Sequence, residues 1–208
     1  KLGRELTRLC LGDPPTFAAL RRALERCLPE EFLGTVEFFP EEGKYHLDGH
    51  RDCGVRLEPI ERARLSGLCP VCGKPVTVGV LSRIEALADR PFSPEAAFRP
   101  PRARPFDSLV PLTEVVADVL GRTVASDAVQ RLYFRLLDQV GPELHIRRSA
   151  TPDELRRAAD PLLIEALLRM RRGELRIVAG FDGEYGRVGL VTESERDHKG
   201  ASLQMGLF

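Results

Sequence analysis

The pair His50-x₂-Cys53 is followed, fifteen residues on, by the pair Cys69-x₂-Cys72. A two-residue gap lets both donors of a knuckle reach one ion from a single tight turn. Gly54 and Gly73 stand directly after the two pairs, where such a turn needs backbone freedom. Three thiolates and one imidazole complete a tetrahedral set for Zn²⁺, and a full set with no open position is structural rather than catalytic. The run His46-x-Asp48-x-His50 offers a competitor. Alternate residues of a strand share a face, so His46 rivals His50 for the fourth position, and all three side chains could face a harder, catalytic ion. A module this small, with few large apolar residues, is expected to depend on its ion for folding.

The elements around the cluster are legible from periodicity and caps. TFAALRRALERC (16–27) has helical spacing with Thr16 as N-cap, and GTVEFF (34–39) reads as a strand ending at Pro40. Nothing nearby completes a sheet, so residues 1–43 read as the end of a larger α/β domain whose earlier strands would precede Lys1. Residues 44–90 are the zinc module, closed by a helix at 81–89. Five prolines among arginines make 91–110 a linker. Helices are expected at 113–120, 126–139, 152–158 and 161–172, the third started by the capping box Thr151-Pro152-Asp153-Glu154 and the fourth stopped by Gly173. RIVAGF (176–181) and RVGLV (187–191) flank the turn DGEYG as a hairpin, closing a helical region at 111–191, and 192–208 is a polar tail. The fold class read from this order is α+β.

Charge and cysteine usage narrow the function. Lys plus Arg equals Asp plus Glu at 31 each, so the chain is no uniformly basic nucleic-acid glove. Residues 49–110 hold ten basic against seven acidic residues, a local +3 that permits phosphate contacts. No apolar run approaches the roughly 20 residues of a membrane span. Five cysteines, three absorbed by the cluster, leave no disulfide framework and point to a reducing, cytoplasmic setting. Cys10 and Cys27 are expected to be small buried hydrophobes. No P-loop, GxGxxG or GxSxG occurs, which leaves nucleotide-dependent and serine-hydrolase chemistry unsupported.

FFPEEGKYHLDGHRDCGVRL (38–57), CPVCGKPVTVGVLSRIEALADR (69–90) and GFDGEYGRVGL (180–190), in this order, resemble endonuclease Q, a DNA-repair nuclease built on a PHP metal-dependent domain. The resemblance implies a parent enzyme that nicks DNA 5′ of deaminated bases or abasic sites, with Mn²⁺, Mg²⁺ or Zn²⁺ at the catalytic centre and a zinc-binding and a helical region gripping damaged DNA. The Asp- and His-rich strand ends that would hold those catalytic metals are not among the 208 residues. This chain alone is therefore expected to bind DNA without cutting it, and no catalytic residue is assigned.

Further positions follow as expectations. Arg51, Lys74 and Arg83 flank the cluster and could meet phosphates. Tyr185 could stack on a flipped base, or the turn could be a plain hairpin with Tyr185 packed on the helices. Arg169, Arg171, Arg172 and Arg176 could contact the DNA backbone or form a solvated helix end. The ending Gln204-Met205-Gly206-Leu207-Phe208 is similar to the tails captured by sliding clamps, through Gln204, Leu207 and Phe208. The competing reading is a non-enzymatic, zinc-stabilised adaptor that docks such a clamp.

Overall fold

The computed structural model describes residues 5–90 and 103–197. They form two compact units. One comprises 7–107 with 177–187 and carries the candidate metal donors; the other comprises 108–176 with 5–6 and 188–197 and is helical. Among the described residues no helix is long and apolar enough to cross a membrane.

The metal-binding unit opens with a three-stranded sheet. β1 (Leu6–Leu9), β2 (Phe32–Glu37) and β5 (Phe106–Ser108) lie in the order β1-β2-β5. The expectation that nothing completes a sheet around β2 is thus overturned, and the segment read as linker ends in a strand. Gly34 explains the close fit. Its φ is +129°, and a Cβ there would overlap the Pro105 carbonyl oxygen, the group that accepts from the Thr35 amide at 3.1 Å. Helix α1 (Phe17–Arg26) starts as expected, with the Thr16 hydroxyl accepting from the Ala19 amide, and buries Ala19 and Ala23, one turn apart. Cys10 is exposed and Cys27 half-buried, so neither is the buried hydrophobe expected. Cys27 sits instead at the left-handed C-cap of α1, where its amide returns to the Ala23 carbonyl.

β3 (Asp48–His50) and β4 (Val55–Leu57) pair antiparallel, Asp48 with Leu57 and His50 with Val55. A 3-10 turn over Arg51–Cys53, ended by Gly54 at φ +64°, joins them. Helix α2 (Pro59–Arg64) follows, unforeseen in the sequence, with Glu61 accepting from the Glu58 amide. Helix α3 (Val80–Leu87) closes the module.

In the helical unit, α4 (Leu112–Leu120) packs against α5 (Asp127–Gln139), α6 (Glu143–Arg148) and α8 (Pro161–Arg172). Leu112, Val115 and Val116 of α4, Leu136 of α5, Ile146 of α6 and Leu163 and Leu167 of α8 are fully buried. Helix α7 (Pro152–Leu155) is shorter than expected because its hydrogen bonds tighten to i+3 spacing at Arg157 and Ala158. Outside this helical packing, β6 (Arg176–Val178) and β7 (Arg187–Gly189) form a two-stranded sheet.

Arg169, Arg171 and Arg172 at the end of α8, and Arg176 at the start of β6, are all committed inside this unit. Arg171 donates to the carbonyls of Ile146, Arg147 and Ala150, capping the end of α6. Arg169 pairs with Glu165 and Glu195, Arg172 with Glu165 and Glu174, and Arg176 donates to the Val191 carbonyl. They are internal braces, neither free phosphate contacts nor a merely solvated helix end.

Glu195 makes this bracing pH-dependent. The Arg169 guanidinium, then the Thr192 amide, hold its carboxyl down at about 2 against an ordinary 4.5. A depressed carboxylate contributes stability above its unfolded value and loses it as pH falls toward its folded one. The thermal midpoint of the helical unit should therefore fall between about pH 4.5 and about pH 2, and Glu195→Gln should flatten part of that decline. An unchanged slope in the variant would show that Glu195 bears no part of it.

Candidate metal centre

The turn after β3 and the loop after α2 bring four side chains to one point. One donor atom from each of His50, Cys53, Cys69 and Cys72 lies within 4.8 Å of the others. His50 Nδ1 faces Cys72 Sγ at 3.6 Å. On a tetrahedral ion with metal–nitrogen about 2.0 Å and metal–sulfur about 2.3 Å, a nitrogen and a sulfur stand about 3.6 Å apart. The donors present fit one four-coordinate metal ion. Among the described residues no other group of three or more His, Cys, Asp or Glu is so arranged.

Backbone geometry sets the second knuckle. The Cys69 amide donates to the Lys74 carbonyl, the Gly73 amide returns to the Cys69 carbonyl, and Gly73 takes φ +72°. Beneath it lies a small core of Leu57, Cys69 and Val76, with Cys53, Val55 and Leu65 packed against it. Cys69, 2% exposed, is therefore both a candidate ligand and a core residue. Without an ion the thiols of Cys53 and Cys69 are shifted in opposite directions. Burial, then hydrogen bonds from Cys72 and Cys69, pushes Cys53 up to about 11. Burial also acts against the Cys69 thiolate, but the Cys72 and Val71 amides outweigh it and bring Cys69 down to about 7.

The donors gathered at this point include His50 and not His46, which precedes β3. The Asp48 side chain, 1% exposed, accepts from the Gly79 amide and the Ser82 hydroxyl, so it caps the start of α3 and faces no metal. The alternative of His46, Asp48 and His50 around a hard ion is overturned, because the middle carboxylate is consumed by the helix cap.

Asp182 is a member of the site that the sequence did not single out. Its carboxylate accepts from the Arg51 amide at 2.7 Å and the Thr77 hydroxyl at 2.6 Å, tying the turn after His50 to the strand segment after the second knuckle. The Arg51 amide, then the Thr77 hydroxyl, hold its carboxyl below the usual range. Phe181 beside it is buried, packs on Gly49 and lies 4.6 Å beneath the Arg56 guanidinium. The segment 180–186 thus belongs to the metal-binding unit through backbone contacts: Gly180 donates to the Glu41 carbonyl, Gly186 to Glu42 and Gly183 to Lys44. Tyr185 is 73% exposed, which overturns the alternative in which it packs on the helices. Arg51, Lys74 and Arg83 are exposed. Gln204, Leu207, Phe208 and His198 lie outside the described residues, and His145 pairs with Glu154 and Ser149 in the helical unit.

A similar fold occurs in a solved structure. The lesion-specific endonuclease PfuEndoQ from Pyrococcus furiosus matches 90% of this chain with a TM-score of 0.78 and 30% sequence identity. The chain is similar to endonuclease Q. A second endonuclease Q structure, a complex with a 27-mer duplex carrying an abasic lesion at the active site, matches 93% of this chain with a TM-score of 0.76 and 30% identity. The chain spans 45% and 47% of those two endonuclease Q chains, so the likeness concerns less than half of each. The family described as the MJ0043 C-terminal domain matches residues 111–174, the body of the helical unit. The uncharacterized protein MJ0043 of Methanocaldococcus jannaschii is 29% identical over 192 residues, which are 90% of this chain and 23% of that protein. The uncharacterized protein YqxK of Bacillus subtilis is 26% identical over 189 residues, 90% of this chain and 43% of that protein.

Proposed function

We propose that this chain is the DNA-gripping, zinc-stabilised part of a metal-dependent repair endonuclease of the endonuclease Q type. Such an enzyme nicks damaged DNA 5′ of deaminated bases or abasic sites. The observation that carries this reading is the match over nine-tenths of the chain to an endonuclease Q solved on an abasic duplex. Zinc is the ion we assign to His50, Cys53, Cys69 and Cys72, because three thiolates with one imidazole in a closed tetrahedron favour it over harder ions. Its role is to fix the two knuckles. Hydrolysis in this reading belongs to a PHP-type metal cluster in the catalytic domain of the parent enzyme. The exposed cations Arg51, Lys74 and Arg83 border the zinc site and are the phosphate contacts we assign, each to lower the salt dependence of binding by about one counterion when removed.

The test is equilibrium binding of the zinc-loaded chain to matched duplexes with and without one abasic site. Tighter binding to the lesion, with no strand cleavage in Mn²⁺, is the expected result. Equal, salt-insensitive affinity for both duplexes contradicts the reading.

A further inference from the structure

We infer that Cys72 is the oxidation site of the metal centre: peroxide attacks there, Cys69 closes a disulfide with it, and the ion is lost. The inference rests on the zinc reading above and makes the centre a reversible, peroxide-sensitive switch.

Burial ranks the three sulfurs. Cys72 is exposed, Cys53 half-buried and Cys69 buried. Cys72 stands on a tip that is open to solvent. Pro70, Gly73, Lys74 and Pro75 are exposed, Val71 is 70% exposed, and a Cβ at Gly73 would meet no atom within 4 Å. A small oxidant can therefore reach Cys72 while the protein is folded, whereas Cys69 is packed with Leu57 and Val76. A cysteine that ligates a metal is held as the thiolate, which is the form that attacks.

The oxidant is hydrogen peroxide, and the two steps balance. The Cys72 thiolate attacks one peroxide oxygen; an S–O bond forms, the O–O bond breaks and hydroxide leaves. A second thiolate attacks the sulfur of that sulfenic acid, forming the S–S bond and expelling a second hydroxide. The two sulfurs together lose two electrons, peroxide gains them, and water takes up both hydroxides.

Cys69 supplies the second thiolate. Its sulfur and that of Cys72 need only close from at most 4.8 Å to the about 2.0 Å of a disulfide. The same bound holds for Cys53, and the backbone decides between them. The turn between Cys69 and Cys72 is closed by its own hydrogen bonds, from the Gly73 amide to the Cys69 carbonyl at 2.9 Å and from the Cys69 amide to the Lys74 carbonyl at 2.8 Å. Those bonds keep the pair adjacent with or without an ion. Cys53 lies on the other knuckle, and closing that longer loop costs more chain entropy. A disulfide between Cys69 and Cys72 consumes two of the four donors, and His50 with Cys53 cannot complete a tetrahedral set. All five cysteines belong to the metal-binding unit, so the helical unit has no thiol to lose.

The experiment treats the zinc-loaded chain with hydrogen peroxide. Zinc release is followed with a chromogenic chelator, disulfides by peptide mapping and unfolding by calorimetry. The expected result is one zinc released for each Cys69–Cys72 disulfide formed, with loss of the knuckle region's transition and survival of the helical unit's. Dithiothreitol with added Zn²⁺ should restore both the ion and the lost transition. The Cys10→Ser, Cys27→Ser double variant lacks the two thiols outside the centre, and it should release zinc at a rate within about twofold of the parent. A chain that keeps its zinc while Cys10 is oxidised overturns the inference and leaves the zinc reading standing. So does a disulfide that maps to Cys53 and Cys72, or a double variant that no longer releases zinc. A chain that holds no zinc when purified under reducing conditions removes the zinc reading and this inference together.

Discussion

Cys69→Ser is expected to release the metal and to abolish cooperative unfolding of the metal-binding unit's knuckle region, while the helical unit melts as before. Two roles coincide in this residue. It supplies one of four donors gathered within 4.8 Å, and it is one of three buried members of the local core, with Leu57 and Val76. Burying such side chains contributes about 1.5–3 kcal/mol each at most. Ordering the backbone around them costs about 1–2 kcal/mol for every residue fixed. The core alone falls far short, and a structural zinc site contributes about 10–16 kcal/mol on the favourable side. Chelation should therefore reproduce the variant's behaviour. Acid should do the same progressively, because thiolates and a neutral imidazole are the binding forms and protons compete for them. Calorimetry of the parent chain, the variant and the chelated chain checks this, with the surviving transition assigned to the helical unit.

Gly186→Ala is expected to destabilise the metal-binding unit by about 3 kcal/mol or more, a large effect for one methyl group. A Cβ at Gly186 would overlap the Glu41 carbonyl oxygen and stand 2.7 Å from the Val178 oxygen and 2.8 Å from the Gly180 nitrogen. All three are backbone atoms, so no side chain can swing aside. The same contact carries the Gly186 hydrogen bond to the Glu42 carbonyl. Gly189→Ala, three residues on, is the control. Its nearest neighbours to a new Cβ are atoms of Arg176 at 3.6 Å or more, and the cost should stay within about 0.5 kcal/mol. Thermal melting of the two variants side by side decides the matter. Equal midpoints would mean that segment 180–186 does not lie against 41–47 as described.

What could be read from the sequence was local. The Cys69–Cys72 knuckle, the Thr16 cap, the capping box at Thr151 and the length of α8 each depend on residues within one or two turns of chain. The placing of His50, and not His46, beside the cysteines did not, because both fit strand spacing and Cys72 lies 22 residues on; nor did the role of Asp48, whose partner Gly79 is 31 residues away. Asp182 was hidden for the same reason, being separated from Arg51 by 131 residues. GFDGEYG was legible as a turn, but not as a segment fitted edge-on against the backbone at 41–47. β1, β5, α2 and α6 are three to six residues long, too short for a period to declare itself. The arginines of α8 looked like a basic helix end until their partners, supplied by α6 and by residues 190–195, were in place.

Cobalt substitution tests the central claim most directly. Refolding with Co²⁺ should give one ion per chain, with the intense visible absorption of a tetrahedral site and thiolate-to-metal charge transfer from three sulfurs. His50→Ala should weaken and alter that spectrum, and His46→Ala should leave it unchanged. A polypeptide that takes up no ion yet unfolds cooperatively, or a spectrum indifferent to His50 and sensitive to His46, would contradict the four-ligand centre.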